Sequence, residues 1–270
     1  MTMKWYFLCD SKPLPAAANM ARDQYLLEQV ESGAIDGAVL RIYQWAQPAL
    51  SLGYHQKWQK SVDLERLEKH DVDLVRRWTG GRAVLHINEM TYSVTAPFRL
   101  PFKRTVTHNY NILAKPLKLF TDRLKLDARI AEGVQTLHPA PGKVTPCFAS
   151  LSEAEIQTGK KKLIGSSQKL GKNGFLQHGS IPMEDHAALL SSITGSTLDM
   201  SEYMDTVGGI YRRQGMDLPD FFHLADALKT CFESVFHVAF QDLDSSLLNQ
   251  KRINDLTRQR FSNREWTFKF

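Results

Sequence analysis

The chain has 270 residues, 43% hydrophobic and 23% charged, enough for a full core and ordinary for a soluble globular protein. Its 34 Lys and Arg against 29 Asp and Glu give +5, with no basic stripe interleaved with aromatics, which argues against nucleic acid and suits an acidic protein partner. Cys9, Cys147 and Cys231 are too few and too far apart for a disulfide framework or a paired zinc site, and they fit a reducing cytoplasm.

Met1 to Asp10 turns polar too soon for a signal peptide or a spanning helix, and Lys4 to Cys9 reads as an opening strand. Ala16 to Glu31 has helical apolar spacing and is closed by Gly33. Asp36 to Trp45 and Pro48 to Tyr54 read as strands, and Val62 to His70 as a short helix. Val72 to Val75 and Met90 to Val94 read as strands on either side of a glycine turn. Thr105 to Leu126 is an amphipathic helix that Pro116 either starts or kinks. Residues 131 to 146 are loop-like, with Pro139, Pro141 and Pro146 leading to Cys147. Three short strands follow, at Glu153 to Gln157, Leu163 to Ser167 and Phe175 to Ile181. Ala187 to Leu190, Met200 to Ile210, Phe221 to Phe240 and Asn249 to Phe261 then read as helices. This order implies an α+β fold with mixed or largely antiparallel sheets flanked by helices.

The chemistry gathers in four places. Arg76-Arg77-Trp78-Thr79-Gly80-Gly81-Arg82-Ala83-Val84-Leu85-His86 places bare backbone among three arginines, fit for an acyl chain, a phosphate or a phosphopantetheine arm. Taken alone, such a Gly-Gly pair is usually a plain hairpin turn with solvated arginines. Cys147 follows a proline-containing loop and is a candidate nucleophile, whereas Cys9 and Cys231 lie in a strand and a helix and suit the core. Lys160-Lys161-Lys162 runs into Gly165-Ser166-Ser167-Gln168, either a solvated basic turn or a lysine beside backbone donors. His178-Gly179 closes a short strand, where a histidine is commonly structural. A thiol, a lysine and a glycine-lined channel together suit acyl transfer, because a thiolate exchanges readily with a thioester. Backbone amides near Gly80-Gly81 or Gly165 would then hold the oxyanion, an effect worth about 3–4 kcal/mol per donor.

These motifs resemble the biotin/lipoate protein ligase superfamily, its lipoate branch in particular. The resemblance rests on the arginine–glycine stretch, on Lys162-Leu163-Ile164-Gly165-Ser166-Ser167-Gln168 and on Leu176-Gln177-His178-Gly179-Ser180-Ile181. Asn19-Met20-Ala21-Arg22-Asp23, Tyr43-Gln44-Trp45, Pro48 and Leu50-Ser51-Leu52-Gly53-Tyr54 match in order upstream. Thr145-Pro146-Cys147-Phe148, fifteen residues before Lys162, is similar to the cysteine setting of octanoyltransferases. ATP-dependent lipoate ligases, the alternative, need no such cysteine. The family departs here at Ile87-Asn88, where an acidic residue usually follows the histidine, and at Ser167, where alanine is commoner.

The resemblance implies a ligase-type catalytic core over residues 1–185, with 186–270 as a helical completion of the same domain. It implies octanoyl transfer from acyl carrier protein, or from an octanoylated carrier domain, to a lysine of a lipoyl domain. Acceptors would be glycine cleavage H protein or 2-oxoacid dehydrogenase E2 subunits. Cys147 would be the nucleophile, and Lys162 would position the carbonyl and help deprotonate the acceptor. Arg76, Arg77, Gly80, Gly81, Arg82, Ala83, His86, Gly165, Ser166, Gln168, His178 and Gly179 would bind substrate. No metal or cofactor is expected, ATP and Mg²⁺ belonging only to the ligase alternative. An amidotransferase between lipoyl domains, lipoyl in place of octanoyl, and a non-catalytic binder of carriers remain as further alternatives.

Overall fold

The computed structural model describes residues 3–133, 154–196 and 198–270, and the backbone alone at 135–136 and 150–151. Cys147, its Thr145-Pro146-Cys147-Phe148 setting and Glu153 lie outside the described residues.

Strand β1 (Trp5–Cys9) leads to helix α1 (Ala16–Ser32), which stops at Gly33 in the left-handed region, φ 79°. β2 (Ala38–Tyr43) and β3 (Ala49–Leu52) follow, then α2 (Leu64–Lys69), whose first turn is capped by Asp63 accepting from Arg66 N–H at 3.1 Å. β4 (Asp73–Arg76), β5 (Val84–His86) and β6 (Glu89–Pro97) come next, then α3 (Val106–Arg123), which runs through Pro116. After β7 (Ala128–Ile130), β8 (Gln135–Thr136) and β9 (Ser150–Leu151) pair with each other. β10 (Ile156–Thr158), β11 (Lys161–Leu170) and β12 (Gly174–Pro182) form a meander. The chain ends with α4 (Ala187–Thr194), α5 (Val207–Arg213), α6 (Phe221–Phe236), β13 (Phe240–Asp242), α7 (Gln250–Leu256) and α8 (Arg264–Thr267).

The architecture is α+β. An eight-stranded sheet runs β13-β1-β2-β6-β12-β11-β10-β7, parallel across its first three strands and antiparallel thereafter. A three-stranded sheet runs β4-β3-β5. On one face of the large sheet, Leu40, Ile42, Tyr92 and Val94 pack under α3 and α6 through Leu113, Leu117, Phe120, Leu228 and Phe232. The opposite face carries α1, with Leu26 and Val30 against Val39.

Three expectations change. Gly80-Gly81 is not a hairpin turn, because β4 pairs parallel with β3 while β6 belongs to the other sheet. The loop instead crosses the end of β3 and returns as β5, antiparallel to it. The run from Met200 to Ile210 breaks into a 3₁₀ turn at Met200–Glu202 and α5, because Asp199 and Thr206 each cap a new start. The run from Phe221 to Phe240 ends as helix at Phe236; His237 takes a left-handed φ of 53°, and the apolar residues beyond it extend as β13 beside β1.

Trp5 anchors that edge, its ring 6.0 Å from Phe232 and 4.6 Å from Phe236. Phe232→Ala, at a fully buried ring, is expected to lower unfolding free energy by about 3–5 kcal/mol in urea titrations.

Candidate active site

The large sheet builds the floor of a pocket from two of its rows. Arg41, Ser93, His178 and Ser167 stand opposite one another across β2, β6, β12 and β11. One step along, Tyr43, Thr91, Ser180 and Gly165 form the next row. Side chains in one row share a face; the whole second row and His178 and Ser167 of the first line the pocket, while Arg41 and Ser93 are not among its lining residues. Above them lie Ser51 of β3, His86 of β5 and Arg77 at the base of the glycine loop.

Asp23 of α1 organises the first row. Its carboxylate accepts from Arg41 (2.7 Å), Tyr43 (3.0 Å), Ser93 (2.9 Å) and His178 Nδ1 (3.1 Å). Burial alone would raise its pKa, yet Arg41 and His178 hold it below the usual carboxylate value. A carboxylate only accepts, so Nδ1 of His178 carries the proton. Burial, with Arg77 and His86 nearby, keeps the ring below its ordinary pKa despite Asp23, so Nε2 accepts from Thr79 Oγ1 at 2.7 Å. The Thr79 oxygen then meets Ser167 Oγ at 2.7 Å, tying the glycine loop to β11.

A second histidine–carboxylate pair sits across the pocket. His86 Nδ1 donates to Glu89 at 2.7 Å, Nε2 meets Ser51 Oγ at 2.7 Å, and the ring stacks on Trp45 at 3.9 Å. Burial would lift the Glu89 pKa, but His86, Ser180 and Thr91 hold it down. Asn88 adopts φ 42°, and the turn it makes brings Glu89 back to the ring. The acidic residue missing directly after His86 is thus replaced from three positions on.

The glycine loop is braced from within. Arg77 is buried and donates to Ser51 O, Gly80 O and Arg82 O, each at 2.7 Å. Gly81 has φ 87°, and a Cβ there would come 2.8 Å from the Arg77 guanidinium. A Cβ on Gly53 would fall 1.9 Å from Gly81 O, so the two backbones touch. Arg76 turns the other way. It donates to Gly53 O (2.7 Å), Gln56 O (2.8 Å) and Thr267 O (2.9 Å), and burial beside Arg77 pushes its pKa down to about 10.

On the far wall a Cβ at Gly179 would lie 2.4 Å from the Tyr92 ring, so only glycine fits. Burial pushes Tyr92 up to about 12, and its hydroxyl meets Ser166 Oγ at 2.7 Å.

The structure brings Arg77, His86, Gly165, Ser166, His178 and Gly179 together as pocket lining. Arg76, Gly80, Gly81, Arg82, Ala83, Gln168 and Lys162 are not among the lining residues. Gln168 points behind the wall to Gln177 at 2.9 Å, and Ala83 is buried in the core of the small sheet. Lys162 is buried in β11 with Nζ 2.7 Å from Glu155 Oε1, and its backbone bonds Tyr203 O and Asp205 N. Sequence reasoning did not give site roles to Asp23, Ser51, Thr79, Glu89, Glu155 or Ser167. A signal existed for Asp23: Asn19 and Asp23 lie four apart on the buried side of α1, where unpaired polar side chains would be costly. Of the described thiols, Cys9 and Cys231 are both pushed up to about 11, chiefly by burial. Among the described residues no group of histidine, cysteine and carboxylate side chains is arranged to hold a metal. No described helix is long and apolar enough to cross a membrane.

Residues 15–212 match the family described as lipoyl protein ligase A/B catalytic domain. The chain belongs to this family, and with it to the biotin/lipoate ligase superfamily. Its relatives place it on the octanoyltransferase side. It is 35% identical to octanoyltransferase LipM of Carboxydothermus hydrogenoformans, across 98% of this chain and 99% of that one. It is 31% identical to octanoyltransferase LipM of Geobacillus kaustophilus, across 98% of both. The fold resembles that of a putative lipoate protein ligase of T. acidophilum with bound lipoic acid, TM-score 0.77 over both full chains at 21% identity. The protein is therefore an enzyme of the octanoyltransferase type.

Two outcomes follow from this geometry. Gly81→Ala should cut transferase activity sharply by straining the loop against Arg77, while Gly80→Ala, with nothing within 4 Å of its Cβ, should stay within about twofold of wild type. Because folded His178 titrates below its ordinary 6.5, the unfolded chain gains a proton first as pH falls. Urea-unfolding stability should accordingly decline from pH 6.5 downward by up to about 1.4 kcal/mol per unit, and His178→Gln should flatten that slope.

Proposed function

We propose that this enzyme moves an octanoyl group from acyl carrier protein to a specific lysine of a lipoyl domain, through a thioester on Cys147. Lipoyl domains of glycine cleavage H protein or 2-oxoacid dehydrogenase E2 subunits are the acceptors, and the cytoplasm is the place of action. The observation that carries the reading is the near full-length similarity to two LipM octanoyltransferases. The state of the other thiols supports Cys147 as the nucleophile: Cys9 and Cys231 are held protonated by burial and stand among core residues. In this reading residues 186–270 complete the same domain as residues 1–185.

The chemistry runs in two balanced steps. The Cys147 thiolate attacks the donor thioester carbonyl, the tetrahedral oxyanion collapses, and the pantetheine thiolate leaves with the carrier. The neutral acceptor lysine amine then attacks the octanoyl-cysteine, the Cys147 thiolate leaves, and the proton that the amine gives up as the amide forms passes to that thiolate. Lys162 positions the carbonyl, and its ammonium, fixed by the ion pair with Glu155, helps deprotonate the arriving acceptor lysine electrostatically, since a nearby like charge favours the neutral amine. The pocket suits a short acyl chain: Met20, Val84 and the ring of Trp45 supply apolar wall, and the rows of the sheet supply donors at one side.

The test is transfer from octanoyl-acyl carrier protein to an unmodified lipoyl domain without ATP, scored by acceptor mass. Wild type should transfer; Cys147→Ala should lose about 10³-fold or more, and Lys162→Ala about 10²-fold or more. Modification that needs ATP and free lipoate and ignores Cys147→Ala would establish a lipoate ligase instead.

A further inference from the structure

Next to the glycine loop lies a cluster of aromatic rings covered by cations. Lys169 stands two residues beyond Ser167 on β11, on the same face of the strand. Its ammonium lies 5.7 Å from the centre of the Trp78 ring and 5.5 Å from that of Tyr54. Trp78 immediately precedes Thr79, and Tyr54 immediately follows Gly53, so both rings adjoin the loop. Arg260 sits over Trp78 at 5.5 Å and over Trp266 at 4.7 Å. Lys269 sits over Tyr54 at 3.7 Å and over Trp266 at 3.8 Å.

No carboxylate pairs with Lys169, Arg260 or Lys269 among the described residues. Of the carboxylates nearest in sequence to Arg260, Asp255 pairs with Arg258 and Glu265 lies in the first turn of α8, while the Arg260 guanidinium donates to the neutral Gln24 Oε1 at 2.8 Å. Cations resting on ring faces are oriented in advance and partly stripped of water, so an arriving anion meets fixed positive charge. The hydroxyl of Tyr54 is drawn below its ordinary pKa, first by Lys269, in keeping with concentrated positive charge. The cluster is also tied to the loop. Trp266 Nε1 donates to Arg76 O at 2.9 Å, and Arg76 Nε donates to Thr267 O at 2.9 Å. The distance from the cluster to the pocket is therefore set by the fold.

We propose that this cation–aromatic cluster is the docking surface for the acidic carrier protein that delivers the acyl thioester. The assignment rests on the octanoyltransferase reading given above. The choice of donor over acceptor follows from charge. A carrier protein brings an uncharged thioester behind an anionic phosphodiester, which three cations at the rim attract. An acceptor domain leads with a cationic lysine, which the same three cations repel.

The experiment uses the full-length enzyme and compares octanoyl-acyl carrier protein with uncharged octanoyl-pantetheine as donor, in wild type, in the double variant Lys169→Glu with Lys269→Glu, and in the double variant Lys169→Gln with Lys269→Gln. Charge reversal should raise KM for the carrier donor about tenfold and neutralisation less, with flatter salt dependence in both. KM for octanoyl-pantetheine, KM for the lipoyl domain and kcat should stay at wild-type values. Should the reversed variant fold poorly by thermal melt, the neutral pair carries the comparison. An unchanged KM for the carrier donor overturns the proposal, and so does a rise confined to the lipoyl domain, which would make the cluster an acceptor site. An equal fall in kcat with both donors overturns it too, by showing a structural role. If wild type transfers from neither donor, the octanoyltransferase reading itself fails and this assignment with it.

Discussion

The buried carboxylate of Asp23 is the interaction on which the rest of the site depends. An ionised carboxylate away from water is tolerated only when its oxygens are fully engaged, and removing one partner of such a pair costs about 3–5 kcal/mol. Asp23 meets that requirement with donors from three neighbouring strands, Arg41, Tyr43, Ser93 and His178. A one-residue slip of β2, β6 or β12 would turn its donor to the opposite face of the sheet. The charge therefore selects one register, and that register aligns both rows of the pocket floor. From there the order passes outward, through His178 to Thr79 and Ser167, until the glycine loop itself is fixed.

The loop is braced as a shaping element. Arg77 serves as its internal strut, and Arg76 ties its base to the carboxy-terminal residues. Both guanidinium groups bond backbone carbonyls, Arg77 those of Ser51, Gly80 and Arg82 and Arg76 those of Gly53, Gln56 and Thr267. What the loop offers the pocket is rigidity, with the side chain of Arg77 facing Ser51 and the His86 pair. Rigid placement matters for acyl transfer, because a reacting carbonyl misplaced by about 1 Å loses a large part of its rate.

Much of this was legible in the sequence, element by element. Alternation located β2, β6 and β12, the Gly33 stop located the end of α1, and the lysine and histidine motifs located β11 and β12. The misses share a cause, which is pairing between residues far apart in the chain. Nothing local reveals that Arg41, Ser93, His178 and Ser167 share a row, since register is decided by contacts up to about the width of the sheet away. β13 was hidden because Val238 and Phe240 continue the apolar character of α6, and only pairing with β1 turns them into a strand. Glu89 was passed over because the acidic partner was expected directly after His86, and the turn at Asn88 moves it two positions. Burial, too, is invisible locally: Lys162 sits in a triple lysine that suggests solvent, yet its side chain is inside with Glu155.

The central claim is that the acyl group passes through one thiol of three. Mixing the enzyme with octanoyl-acyl carrier protein, quenching within one turnover and mapping the modified peptide tests it directly. The account predicts a single octanoyl group on the peptide containing Cys147, lost when a lipoyl domain is added and recovered there as an amide. An octanoyl group on Cys9 or Cys231, or transfer that proceeds with no acyl-enzyme at any time, would contradict it.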